Sequence, residues 1–167
     1  MHSRIRFLAL VLALAVPVVA SAQGGTSISP DQQLLRELVD LNHGIALLAH
    51  GALHRPGTFP SKTDAAAVDK QHDDDTDHLH AALRGLFNDT YAGSASHADS
   101  LTARALAKQT GAGYDQAFRQ DVAAADDRAV GLIDHFMPHL TNAQVKTLAQ
   151  RQRDSASAES KRLRAKG

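Results

Sequence analysis

The stretch HGIALLAHGALH places His43, His50 and His54 in an apolar run. At about 100° per residue, steps of seven and eleven bring all three within roughly 20° of one line along a helix. Imidazole nitrogen suits copper and zinc, and the four-residue spacing of His50 and His54 lets two rings share an ion. The apolar line through Leu41, Ile45 and Leu48 lies nearly opposite, so the stripe borders the polar arc of Arg36, Asp40 and Gly44. A site needs three or four converging ligands and histidine is common at helix borders, so the polar edge of a packed helix is the simpler reading and a metal-binding stripe the sharper one. His72 falls in line with Val68 and Leu79 and should point inward, where it is the second-helix residue best placed to reach an ion in a core. The candidate metal ligands are therefore His43, His50, His54 and His72. His78 and His80 read as solvated, and His135 and His139 as cationic compensation of a helix C-terminus.

Other chemistry fails on residue type or spacing. The run DDDTD (73–77) imitates the start of a calcium loop, but its sixth position is His78 instead of glycine and its twelfth is Arg84 instead of glutamate. It reads as a mostly solvated helix face. A di-iron bundle needs several inward glutamates, whereas this chain has Glu37 and Glu159 alone. No H-E-x-x-H, G-x-S-x-G or phosphate-cradling glycine loop is present, and no nucleophile–base pair is recognisable, so an enzyme is not expected. The absence of cysteine excludes disulfides and thiolate metal sites.

The elements that must position these side chains are helical. Ser29, Pro30 and Gln32 make a helix start, and Leu34, Leu38, Leu41, Ile45, Leu48 and Ala52 repeat at three and four to about residue 55. Ser61 as cap with Asp64 opens a second helix that runs to about 90. A short connector helix follows in HADSLTARALAKQ. A long helix from about 114 carries Phe118, Val122, Ala125, Ala129, Leu132, Ile133 and Phe136 on one side, and Pro138 closes it. Thr141 and Gln144 form a capping-box start for the last helix. No stretch alternates long enough to be a strand. The expected fold is all-α, a four-helix bundle with a connector.

An internal echo supports two helix pairs about a pseudo-twofold axis. With an offset of 84 residues, DQQLLRELVDLNHGIALLA (31–49) falls on DQAFRQDVAAADDRAVGLI (115–133), and KQHD (70–73) falls more weakly on RQRD (151–154). The halves span about 30–92 and 114–165, within one domain over 30–165.

The basic start MHSRIR, the apolar run to Ala20 and the small-x-small pattern at 20–22 read as a signal peptide cut between Ala22 and Gln23, followed by a leader over 23–29. The expected compartment is periplasmic or extracellular, with no stable membrane insertion after cleavage. Removing Arg4 and Arg6 leaves 16 basic against 18 acidic residues, which gives no electrostatic case for nucleic acid.

The segments DQQLLRELVDLNHGIALLAH (31–50) and YDQAFRQDVAAADDRAVGLIDHFMPHLTNAQVKTLAQRQ (114–152) resemble the two halves of a duplicated member of domain-of-unknown-function family 305. The resemblance covers nearly all of the chain after residue 22. It implies a bacterial, exported protein with a ferritin-like four-helix bundle, in a family some of whose members are associated with copper binding. The family's first helix in each half typically carries an adjacent His-His pair and then a methionine-bearing segment. Here those pairs fall on Leu41-Asn42 and Ala125-Asp126, and the methionine positions on Leu47 or Leu48 and on Leu132. Soft thioether ligands for Cu(I) are thus missing. The resulting expectation is a non-enzymatic exported bundle that binds a divalent metal, copper or zinc, weakly through histidines. The alternative is a metal-free envelope interaction or stress module that holds a protein partner.

Overall fold

In the computed structural model the described residues, 28–57 and 59–166, form five α-helices and no strand. These are α1 (Pro30–Leu53), α2 (Ser61–Phe87), α3 (His97–Ala107), α4 (Gly111–Phe136) and α5 (Ala143–Arg164), with a 3₁₀ turn at Met137–His139. The all-α bundle expected from the apolar spacing is what forms. The signal peptide and the cleavage point lie outside the described residues, as does most of the leader. No described helix is long and apolar enough to cross a membrane.

Helix starts are set partly by neighbours in sequence and partly by distant residues. Ser29 caps α1 as expected, accepting from Gln32 N at 3.2 Å, an arrangement that contributes about 1 kcal/mol. Two expected caps are wrong. Ser61 caps nothing: it is the first residue of α2, and its N–H donates to Asp115 Oδ1 of α4 at 2.9 Å. Nor does Thr141 cap α5. Asn142 does, accepting from Gln144 N and Val145 N, while Thr141 N–H and O–H and Asn142 N–H all donate to the Asp31 carboxylate of α1. Each of these two helices therefore starts on a carboxylate from the first turns of a helix in the other pair. Asp31 and Asp115 are separated by the same offset of 84 that relates the two halves in sequence.

Helix α1 packs on α2 and α4 on α5, and α1 also contacts α4. The connector α3 lies over the α1–α4 side. Ser96 and Asp99 close a capping box at its start, and Asp99 also receives Arg128 of α4 at 2.9 Å. A Cβ at Gly44 would sit 2.6 Å from Asp99 Oδ2, so the approach of α3 to α1 requires glycine there.

The core is divided. One apolar cluster is built on Leu34, Leu38, Leu79, Leu83, Ile133 and Val145. A second is built on Ile45, Val68, Tyr114, Phe118, Val122 and Leu163. Fully burying each such side chain contributes roughly 1.5–3 kcal/mol. Asn42 of α1, His72 of α2, Asp126 of α4 and Glu159 of α5 fall between the two sets along their helices. All four are buried.

Candidate metal centre

Each long helix brings one polar side chain to the layer between the apolar clusters. His72 is 3% exposed, Asp126 0%, Glu159 5% and Asn42 4%. His72 points inward as its alignment with Val68 and Leu79 requires. Its Nδ1 lies 3.1 Å from Asn42 Oδ1. An amide oxygen only accepts, so Nδ1–H donates to it and Nε2 is the ring nitrogen that faces the carboxylates. His72 Nε2 is 3.6 Å from Asp126 Oδ1 and 3.6 Å from Glu159 Oε1.

His72, Asp126 and Glu159 each offer a donor atom, and these atoms lie within 4.8 Å of one another. It is the one such cluster of three among the described residues. An ion bound tetrahedrally at about 2 Å separates its donors by roughly 3.3 Å. The two separations from His72, 3.6 Å each, are close to that value, and the three donor atoms together lie within 4.8 Å.

The layer lacks internal partners. His72 Nε2, both oxygens of Asp126, Glu159 Oε1 and Asn42 Nδ2 make no hydrogen bond. Native interiors leave few such groups, and each orphan costs about 1–3 kcal/mol. Burial pushes the Asp126 carboxyl up to about 8, with Glu159, Asp127 and Asp75 adding to the rise and Arg162 opposing it. Arg162 reaches Glu159 Oε2 at 3.8 Å. A divalent cation here would satisfy one nitrogen and two carboxylates and leave the buried charge balanced. Asn42, holding the ring from behind, would be the outer partner that fixes a metal-bound histidine.

The other predicted ligands lie elsewhere. His43 is half-buried and donates from Nε2 to the Ala92 carbonyl at 3.1 Å. His50 and His54 are exposed at the end of α1, with ring centroids 4.2 Å apart. His43 and His50 line an open cleft with Asp69 and Asp73. His72 does not join that stripe, contrary to the reading that groups all four. His80 is also not simply solvated: it is half-buried, its Nε2 has no partner, and its ring lies 6.4 Å from that of His43.

Asp126 and Glu159 did not stand out as ligands in the sequence, yet both carry a signal. Asp126 interrupts the apolar row Val122–Ala125–Ala129, and Glu159 stands between Ala156 and Leu163 on the inward face of α5. The offset of 84 also superimposes Asn42 on Asp126 and Asp75 on Glu159. Asp75 accordingly departs from the solvated face assigned to its acidic run. It is half-buried, and burial raises its carboxyl against the pull of His72, Arg151 and His78.

No family model and no curated protein matches the chain. Two solved structures share its fold. CopM in the Cu(II)-bound form matches with a TM-score of 0.66 at 17% identity, over 81% of this chain and 93% of that one. CopM in the Cu(I)-bound form matches with a TM-score of 0.66 at 17% identity, over 83% of this chain and 95% of that one. At this identity the likeness is one of fold.

Proposed function

We propose that the chain is an exported, non-enzymatic helical bundle that holds one divalent transition-metal ion, Cu(II) or Zn(II), in its core through His72, Asp126 and Glu159. One observation carries this reading: three buried donor atoms from three helices, His72 Nε2, Asp126 Oδ1 and Glu159 Oε1, converge and make no hydrogen bond. Two likenesses support it. CopM, a bundle of the same fold, is copper-bound in both forms, and the sequence motifs, which no family model matches, resemble family 305, some of whose members are associated with copper binding.

The donor set favours particular ions. One imidazole and two carboxylates suit borderline divalent metals. Cu(I) prefers thiolate and thioether, and the chain has no cysteine and only two methionines. A monovalent ion would also leave the two buried carboxylates short of positive charge. The raised Asp126 carboxyl means that binding displaces a proton, so affinity should rise with pH until about 8.

The metal-free alternative requires an exposed apolar patch for its partner. Among the described residues the large apolar side chains that are exposed are Ile28, Leu47 and Leu101.

Titration calorimetry of the untagged chain with Cu(II) and Zn(II) tests the proposal. The expected result is one ion per chain at micromolar or tighter affinity, lost in Asp126→Asn and Glu159→Gln and retained in the double variant His50→Ala/His54→Ala. Binding that disappears only in the His50/His54 variant would move the site to the surface stripe. No binding to the wild-type chain would favour the partner-holding alternative.

A further inference from the structure

The proposed core site is enclosed on most sides. The α1–α2 and α4–α5 pairs are closely packed, and α3 covers the α1–α4 side. The remaining side is the seam between α2 and α5, which touch at few places. A cleft of about 400 Å³ lies along that seam, lined by Gln71, Asp74, Asp75, Arg151 and Ser155 among others.

The lining residues are interleaved with the buried donors. Gln71 immediately precedes His72, Asp75 follows it by three, and Ser155 is one helical turn before Glu159. Gln71 Nε2 donates to Ser155 Oγ at 2.9 Å, bridging the two helices. Asp75 is the counterpart of Glu159 in the other half, but it is half-buried where Glu159 is closed off. Its charge adds to the rise of the Asp126 carboxyl. The cleft thus holds exposed Asp74, ion-paired with Lys70 at 2.5 Å, and half-buried Asp75, and its lining residues on α2 and α5 flank the buried His72 and Glu159 in sequence.

We propose that the α2–α5 seam is the port through which a divalent cation reaches the core, with Asp75 as the outer carboxylate that receives it and the Gln71–Ser155 hydrogen bond as the latch. This rests on the core-site reading above. An ion that sheds its water in steps needs an anionic intermediate station. Asp75 supplies one, and Arg151 lines the same cleft.

The chain has no cysteine, so thiols can be placed at will. In the double variant Gln71→Cys/Ser155→Cys, a short bifunctional maleimide locks the seam, and the same variant capped with N-ethylmaleimide is the unlocked control. Zn(II) loading, and release to a chelator, are followed by stopped flow with a metal-sensitive dye. Locking should slow both rates by tenfold or more with equilibrium affinity kept within about threefold, as expected for a gate on the path. Asp75→Asn should slow loading roughly tenfold through lost electrostatic steering and leave release within about threefold. A locked chain that exchanges as fast as the capped control overturns the port. So does release from Asp75→Asn that is accelerated more than about tenfold, because that behaviour belongs to an inner ligand. In both cases the wild-type chain still binds, so the core site itself would stand. A wild-type chain that takes up no divalent ion at equilibrium overturns both.

Discussion

Buried carboxylates occur in two settings, and their partners differ. Toward the ends of the bundle each is fully engaged. Burial pushes the Asp31 carboxyl up, but hydrogen bonds from Asn142 and Thr141 outweigh it and hold it below the usual range. Asp64 is likewise raised by burial and brought down by Lys166, Arg119 and Arg162. The Arg36 guanidinium draws Asp89 down to about 2, against burial and with help from Gln32 and the Tyr91 N–H. At mid-core, Asp126 has no hydrogen-bond partner and its carboxyl stands at about 8. The ends show how this chain satisfies a buried acid when the acid is structural. The centre departs from that practice in one layer, where four helices converge.

The largest expected effect is on the pH dependence of stability without metal. Between the unfolded value of 3.8 and the folded value of about 8, native Asp126 holds a proton that the unfolded chain has lost. Its contribution therefore falls as pH rises through that window and levels above about 8, a change on the order of 5 kcal/mol. Asp89 has the opposite sign: its contribution is present above 3.8 and is lost as pH falls toward about 2. Urea melts of metal-free protein from pH 2 to 9 should show both slopes. Asp126→Asn should remove the slope between 3.8 and about 8 alone, and an unchanged slope in that window would erase the contrast between centre and ends.

Next in size is the loss of binding. His72→Ala should weaken Zn(II) or Cu(II) by at least about a hundredfold, since one of three ligands is gone. Asp115→Asn, at the start of α4, should change affinity by less than about threefold. Equal losses in the two variants would mean that folding, not ligation, governs uptake.

Stability should reverse that order. Asp31→Ala strips the partner from the Thr141 and Asn142 N–H groups and should cost about 2 kcal/mol in a urea melt at pH 7. Asp126→Asn should cost nothing or stabilise the metal-free chain at pH 8.

The smallest effect concerns the ring's outer partner. Asn42→Ala frees His72 Nδ1 and should weaken metal binding about tenfold while stoichiometry stays at one ion. A loss as deep as that of His72→Ala would make Asn42 itself a ligand.

The helices and the inward aim of His72 were legible in the sequence because apolar spacing is a local signal. The starts of α2 and α5 were not. Ser61 and Thr141 have suitable hydroxyls, but Asp115 and Asp31 reach them through tertiary contact, and short-range spacing does not record that. The centre was half legible. The stripe at His43, His50 and His54 drew attention because histidines recur there on one helix, whereas the buried cluster takes a single residue from each of several helices. Asp126 was read as the place of a missing histidine. Its interruption of an apolar row, and its superposition on Asn42 at an offset of 84, are the marks that identify it.

The most direct measurement is an anomalous difference map from a Zn(II)-loaded crystal, collected across the zinc edge. The account predicts one strong peak per chain in the mid-core layer, about 2 Å from His72 Nε2 and from one oxygen each of Asp126 and Glu159. A peak at His50 and His54 with none in the layer, or no peak in a crystal soaked to saturation, would contradict it.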